Sequence, residues 1–340
     1  MTVLVTGGAG YIGCWACYHL LKAGHDVVVV DKGFFPSGMQ YITTTLKLPV
    51  IEADIRDFNL KQTSEVDAIL HLAGLSNDPS AQYHPKGNHE MNTVATERLC
   101  AEASAIGCKR FIFASSASVY GYNNQPKLDE LAPINPQSYY AESKAAAEPF
   151  VLAVGGTVLR QATVMGWSPR HRNDLVVNTM MKSALQTGKI HVVGGGEACR
   201  PLVEVRDLAE CYVRLLAVDP QKINSVFNVN HRRSTDTIIE GYTVSGLALW
   251  MKHLLQKNHG IAVDVVGNWD TTEARSYDMT SAKLRRLLDW EPQRGITAAV
   301  VSIFAHKDQL NSYDQINIEW LKALEYGQSV TQKTGSVFVP

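Results

Sequence analysis

No run of apolar residues in this 340-residue chain approaches the roughly 20 that cross a bilayer as a helix. No charge of one sign dominates either. Lys and Arg number 32 against 33 Asp and Glu, a formal net charge of -1, which argues against nucleic acid or anionic lipid as partner. Cysteine is sparse and scattered: Cys14, Cys17, Cys100, Cys108, Cys199 and Cys211 form no secreted disulfide framework. Cys14 and Cys17 match Cys-x-x-Cys, but no second Cys or His pair completes a zinc set. They read as helix packing, and no metal is expected. Repeats and low-complexity tracts are also missing. The opening "MTVLVTGG" lacks a basic n-region and a cleavage site. It reads as a strand that starts at once, which favours the cytoplasm.

Hydrophobic residues make up 45% of the chain, enough for a sizeable core. At this length one large domain or two fused lobes is expected. The first half alternates short β-branched runs with helical stretches. "VLVTG" (3–7), "DVVVVD" (26–31), "PVIEAD" (49–54), "AILHLAG" (68–74), "RFIFASS" (110–116) and "GTVLRQAT" (156–163) read as buried strands. Continuous apolar runs separated by helices predict a doubly wound parallel α/β sheet of Rossmann type. From about residue 165 the pattern loosens. "SPRHRND" is a polar loop, "IHVVGGGEACRPLVEV" reads as short strands around a glycine turn, and a helix is expected over about 239–257. The expected organisation is a dinucleotide-binding domain over 1–165, a smaller C-terminal substrate lobe over 166–325, and a tail over 326–340. Later segments of the lobe return to the first domain.

"VLVTGGAGYIG" runs from a strand into a helix. Gly8, Gly10 and Gly13 fit the dinucleotide fingerprint, with Gly7 in addition. Such glycines make the tight turn, let the backbone approach a diphosphate, and let helix and strand pack closely. The diphosphate then sits on free N–H groups at the positive end of the helix. Asp31 ends the next strand, where an acid takes both ribose hydroxyls and repels a 2′-phosphate. Lys32, not arginine, follows it, which favours NAD over NADP. Asp54, with Ile55, ends the third strand. It reads either as a contact to the adenine edge or as a helix N-cap.

"YYAESK" (139–144) holds a second signal. Tyr140 and Lys144 are four apart and share a helix face, whereas Tyr139 points elsewhere. A nearby ammonium favours phenolate, so the tyrosine pKa is expected to fall below about 10.

Together "TGGAGYIG", Asp31, "ADIRD", "HLAG", "SSASVYG", "YYAESK", "VLRQATVMG", "RPLVEVRDLA" and "RSYDMTSAKL" resemble the extended short-chain dehydrogenase/reductase family. Within it the chain is similar to the nucleotide-sugar epimerases and dehydratases, over roughly residues 1 to 310. The resemblance implies an NAD-dependent enzyme in which Tyr140 is the general acid/base. Lys144 would hold the nicotinamide ribose, and Ser116 would give the reacting oxygen a second hydrogen bond. It further implies cofactor contacts from Gly7, Gly10, Tyr11, Ile12, Gly13, Asp31, Lys32, Asp54, Ile55, Leu72, Ala73, Gly74, Asn92, Ser115 and Gln161. Ser118, Thr163, Asn178, Arg200 and Arg275 are the implied substrate contacts, the two arginines on a diphosphate. Arg172 is a looser candidate.

Dehydratases of the family carry an Asp-Glu pair directly after the catalytic hydroxyl. Here those places are Ala117 and Ser118. The resemblance therefore implies a nucleotide-sugar 4-epimerase acting through a transient 4-keto sugar. Two alternatives stay open: a 4-dehydrogenase or 4-ketoreductase with net redox, and a non-catalytic NAD-binding sensor. Gln161, Ala162 and Thr163 stand where many epimerases have aromatic residues and an asparagine. Gly74 replaces a usual alanine, and "LSNDPS" (75–80) is not the common wording. The family pairs as a homodimer through two helices, here those near 92–106 and 139–153.

Overall fold

The computed structural model describes residues 1–63, 65–123, 127–231, 243–267, 276–310, 316–319 and 321–322. Its strands are β1 (Thr2–Thr6), β2 (Asp26–Asp31), β3 (Val50–Glu52), β4 (Ala68–His71), β5 (Arg110–Ser116), β6 (Thr157–Gln161), β7 (Thr163–Met165), β8 (Lys189–Val192), β9 (Leu202–Glu204), β10 (Val226–Val229) and β11 (Asp264–Gly267). The principal helices are α1 (Tyr11–Lys22), α2 (Ala95–Ala105), α3 (Tyr139–Ala153), α4 (Val176–Thr187), α5 (Val205–Leu216), α6 (Val244–His259) and α7 (Ile296–Ala305).

Seven strands form one parallel sheet in the order β10-β6-β5-β4-β1-β2-β3. Six are the apolar runs of the sequence. The seventh, "VFNV" in β10, lies far along the chain and returns to flank β6. Val3, Leu4, Val5, Val29, Val30, Ile69, Leu70, Ile112 and Phe113 are all buried, because helices cover both faces. The strand order reverses between β1 and β4. An open parallel sheet leaves its ligand crevice beyond the carboxyl ends of the strands at that point. β5 and β6 end side by side there, with Ser116 paired in register to Gln161.

α1 packs on α5 against the sheet and buries Cys14 and Cys17. Burial pushes the Cys14 thiol up to about 12. A second core gathers Met165, Val177, Met181, Ile190, Met251, Leu255, Val300 and Ile303 from β7, α4, β8, α6 and α7. The expected strands around "VVGGGEACRPLV" do form, but they do not pair with each other. β8 pairs with β11 and β9 with β7, both in parallel. Their partners come from distant segments of the chain. Among the described residues, no helix is long and apolar enough to cross a membrane. The stretch assigned to the tail lies outside the described residues.

Candidate active site

A cleft of about 490 Å³ opens at the reversal point. Its size falls within the usual range for small-molecule sites. Gly7, Gly10, Tyr11, Ile12 and Gly13 form one wall, with Asp31, Lys32, Asp54 and Ile55 beyond them. Leu72, Ala73 and Gly74 follow β4. Ser116, Ser118, Tyr140, Lys144, Gln161, Thr163, Arg172 and Arg200 complete the predicted residues that line it.

The glycine turn is tight by necessity. A Cβ on Gly13 would stand 2.2 Å from the Gly7 carbonyl oxygen. Asp31 accepts hydrogen bonds from the backbone N–H groups of Ala9 at 3.0 Å and Gly33 at 2.9 Å. Burial raises its pKa, and those two donors partly offset the rise. Asp54 starts no helix, but its Oδ1 caps the single turn after it by accepting from the Arg56 N–H at 2.9 Å. It accepts from Lys32 Nζ at 2.6 Å and from Arg56 Nη2 at 2.7 Å. Burial alone would raise its pKa; the bonds from Arg56 and Lys32 outweigh that and hold it well below the usual range.

Ser138 caps α3 by accepting from the Ala141 N–H at 3.2 Å and donates its own hydroxyl to Asp78 at 2.6 Å. This cap sets the helix register. Tyr139 is then 47% exposed, while Tyr140 turns into the cleft beside Ser116. Ser118 donates its hydroxyl to Ser116 Oγ at 2.9 Å. The expectation of a depressed Tyr140 pKa is corrected. Burial raises it, with the Ser116 hydroxyl and the Arg172 charge pulling the other way. Lys144 is not among the causes. It is 4% exposed, its ammonium faces the Phe113 ring at 4.7 Å, and burial pushes its pKa down to about 8.

Three candidates do not line the cleft. Ser115 donates to Glu148 Oε1 at 2.6 Å, inside a buried network in which Arg160 pairs with the same carboxylate at 2.7 Å. Strand alternation explains this, because Ser115 and Ser116 face opposite sides of the sheet. Asn178 donates to the Arg172 carbonyl at 2.8 Å and to Tyr11 Oη at 3.2 Å, and accepts from the Gly166 N–H at 3.0 Å. It ties the loop after β7 to α1. Asn92 is fully buried and donates to the Leu75 carbonyl, Asn88 and Ser143. Among the described residues its Oδ1 has no partner. Gly74 stands against it with φ +153°, and a Cβ there would fall 2.2 Å from that oxygen. The replaced alanine is thereby explained: this backbone has no room for a methyl group. Arg275 lies outside the described residues.

The cleft also holds residues not singled out in the sequence. Arg170 is buried, with its guanidinium 3.7 Å over the Phe35 ring. Asp174 pairs with Arg172 at 2.9 Å and accepts from Asn77, whose φ is +86°. Tyr277, Asn317 and Ile318 line the cleft from the C-terminal part. The alternating cations of "PRHR", in the loop after β7, were the available signal for Arg170. Asn317 offered none.

The residues present fit a dinucleotide. Asp31 and the Gly7 carbonyl take the N–H groups of Ala9 and Gly10, and Gly10, as the N-cap of α1, puts no side chain over the first turn of the helix. The Lys144 ammonium lies over the Phe113 ring, and Asn92 Oδ1, without a partner among the described residues, lies beside the same Gly74 backbone. A doubly wound sheet with a glycine turn at its reversal point and a Ser–Tyr–Lys set beside it defines a dinucleotide-dependent enzyme.

Residues 3–229 match the NAD dependent epimerase/dehydratase family, and the chain belongs to that family. It is an NAD-dependent enzyme of the extended short-chain dehydrogenase/reductase type. It is 30% identical over 301 residues to UDP-glucuronic acid decarboxylase 1 of Xenopus tropicalis, covering 85% of this chain and 68% of the relative. It is 27% identical over 332 residues to UDP-glucose 4-epimerase of Bacillus subtilis strain 168, covering 87% of this chain and 94% of the relative. In fold it is similar to UDP-glucuronic acid 4-epimerase of Bacillus cereus, solved with UDP-glucuronic acid and NAD. That likeness has a TM-score of 0.78 at 23% identity, over 91% of this chain and 100% of the other.

Proposed function

We propose that this chain is a nucleotide-sugar 4-epimerase that works through a transient 4-keto sugar. One observation carries the reading. Ser116 and Tyr140 line the cleft together, and the two positions after Ser116 are Ala117 and Ser118 rather than an acid pair. Tyr140 removes the proton of the sugar 4-hydroxyl and later returns it. Ser116 gives that oxygen a second hydrogen bond as the proton leaves. NAD, when bound, takes up and returns the hydride. The turn around Gly10 and Gly13 would hold its diphosphate, Asp31 its adenosine ribose and Lys144 its nicotinamide ribose. Arg200, over the Tyr277 ring at 5.9 Å, would hold the sugar diphosphate. Arg275 is the second arginine assigned to that role.

The Xenopus relative favours a second reading, decarboxylation of a nucleotide-linked uronic acid. The donors of Arg172 speak for the epimerase. Asp174 takes its Nε and Nη2 at 2.9 and 3.0 Å and Ser76 its Nη1 at 3.2 Å, so a sugar carboxylate would have to displace bonds already made. Ser116, Tyr140 and Lys144 together also exceed what a sensor needs.

The test uses purified protein, a panel of nucleotide-sugars and no added NAD. Proton NMR should show two C4 epimers approaching one equilibrium ratio with no NADH accumulating. Released carbon dioxide, or NADH formed in step with ketone, would replace this reading by the decarboxylase or the dehydrogenase. The reading includes a homodimer. α2 and α3 lie side by side, and Ala101, Ala146, Pro149 and Ala153 face outward on them. Small side chains let two such pairs approach closely.

A further inference from the structure

The chain returns to the cleft after its last long helix. Asn317 is 5% exposed although it lies near the C-terminus. Its Nδ2 donates to Ser76 Oγ at 2.9 Å and to the Ser76 carbonyl at 3.3 Å. Its Oδ1 accepts from Arg170 Nη2. Ser76 lies in the loop after β4, and Arg170 in the loop after β7. One amide therefore joins three segments, 241 and 147 residues from it along the chain.

The two partners belong to different ends of the cleft. Arg170 stacks on Phe35 and its charge reaches Asp31, on the adenosine side. Ser76 accepts from Arg172 Nη1 at 3.2 Å, and the Arg172 charge reaches Tyr140, on the reacting side. Ile318 and Leu321, one and four residues after Asn317, line the same cleft. Lys322 continues outward, with its ammonium 5.3 Å over the Tyr83 ring. The segment is thus anchored at Asn317, apolar toward the cleft and charged where it leaves it.

We propose that Asn317 is the latch of a cofactor-retaining strap. Through Arg170 and Ser76 it holds residues 316–319 and 321–322 against the cleft, so that NAD leaves only after these bonds open. The strap would positively suit an enzyme that restores its cofactor in each turnover. The proposal itself rests on NAD as cofactor and not on the reaction catalysed.

The test is NAD release from the loaded full-length protein, followed by stopped-flow displacement without any sugar substrate. Asn317→Ala should release NAD about tenfold faster, the order expected when a hydrogen bond to a charged group is lost from the closed state. Leu321→Ala, which thins the wall without touching the latch, should also speed release, by less. The melting temperature of the cofactor-free protein should fall by no more than about 2–4 °C in either variant, and release should quicken by more than that loss accounts for, which a merely structural role would not allow. Wild-type release rates in both folded variants would overturn the proposal. So would faster release that scales with a drop in melting temperature. If Asn317→Ala does not fold, the rate for Leu321→Ala decides. Because no sugar is present, failure of the epimerase reading leaves this result untouched.

Discussion

Lys32, the residue after Asp31, places its ammonium 2.6 Å from Asp54 Oδ2, and Asp54 draws Arg56 to the same oxygen at 2.7 Å. The ammonium that follows Asp31 in the chain is thereby paired within the protein. A 2′-phosphate would meet Asp31 without an unpaired lysine to offset it. Asp54→Asn should weaken the grip on Lys32 and raise affinity for NADP relative to NAD. Because Lys32 is partly exposed, the change should be modest, roughly three- to tenfold. Calorimetric titration with both cofactors checks it, and an unmoved ratio removes Asp54 from cofactor choice.

Tyr140→Phe deletes one hydroxyl. Fold and NAD binding should survive, and the rate on an identified substrate should fall by about 10²- to 10⁴-fold. Tyr139→Phe should change it little, since that ring is 47% exposed. The base must be deprotonated to act, so the rate should rise with pH through the Tyr140 pKa. Arg172 lowers that pKa, so Arg172→Met should displace the limb to higher pH. A limb that moves to lower pH would contradict this arrangement.

Lys144 gives a stability prediction with a definite sign. Burial lowers its pKa from 10.5 to about 8 in the folded cofactor-free protein. Below pH 8 the buried ammonium is charged in both states and opposes folding. Between about 8 and 10.5 the unfolded chain binds more protons, so the stability deficit closes as pH rises. Lys144→Met should therefore stabilise the cofactor-free protein at neutral pH, by on the order of 3 kcal/mol, and the gain should vanish above about pH 10.5. Denaturant titrations at both pH values test it. The same variant should bind NAD poorly.

Glu148 and Arg160 form a buried pair, 4% and 6% exposed, held also by Ser115 and Tyr120. Glu148→Ala leaves a buried guanidinium without its counter-charge and should cost about 3–5 kcal/mol. Replacing both partners with apolar residues of similar volume should cost less. Equal losses in urea unfolding would show that packing, not charge, holds this layer.

The homodimer should appear as a stable species in sedimentation at micromolar concentration. Ala146→Glu places a charge on the outward face of α3 and should shift it to monomer with little change in melting of the subunit. A wild-type monomer at that concentration excludes pairing through these helices.

The chain's local chemistry settled much of this in advance. Six of the seven sheet strands were legible because strands buried on both faces must be apolar throughout, and the glycine turn because only small residues leave backbone N–H groups open. Tyr140 was separable from Tyr139 by helical periodicity alone. Patterns of this kind repeat within a few residues, so no distant partner is needed to read them. What only the tertiary structure decided involved partners far apart in sequence. The pairing of β8 with β11, the retreat of Ser115 to Glu148 and the clamp role of Asn178 all depend on which segments meet. So does the rise of the Tyr140 pKa, because the sequence supplied a neighbouring cation but not the degree of burial. Asn317 is the clearest case: an amide in an unpatterned stretch becomes part of the cleft only because the folded chain brings it to Arg170 and Ser76.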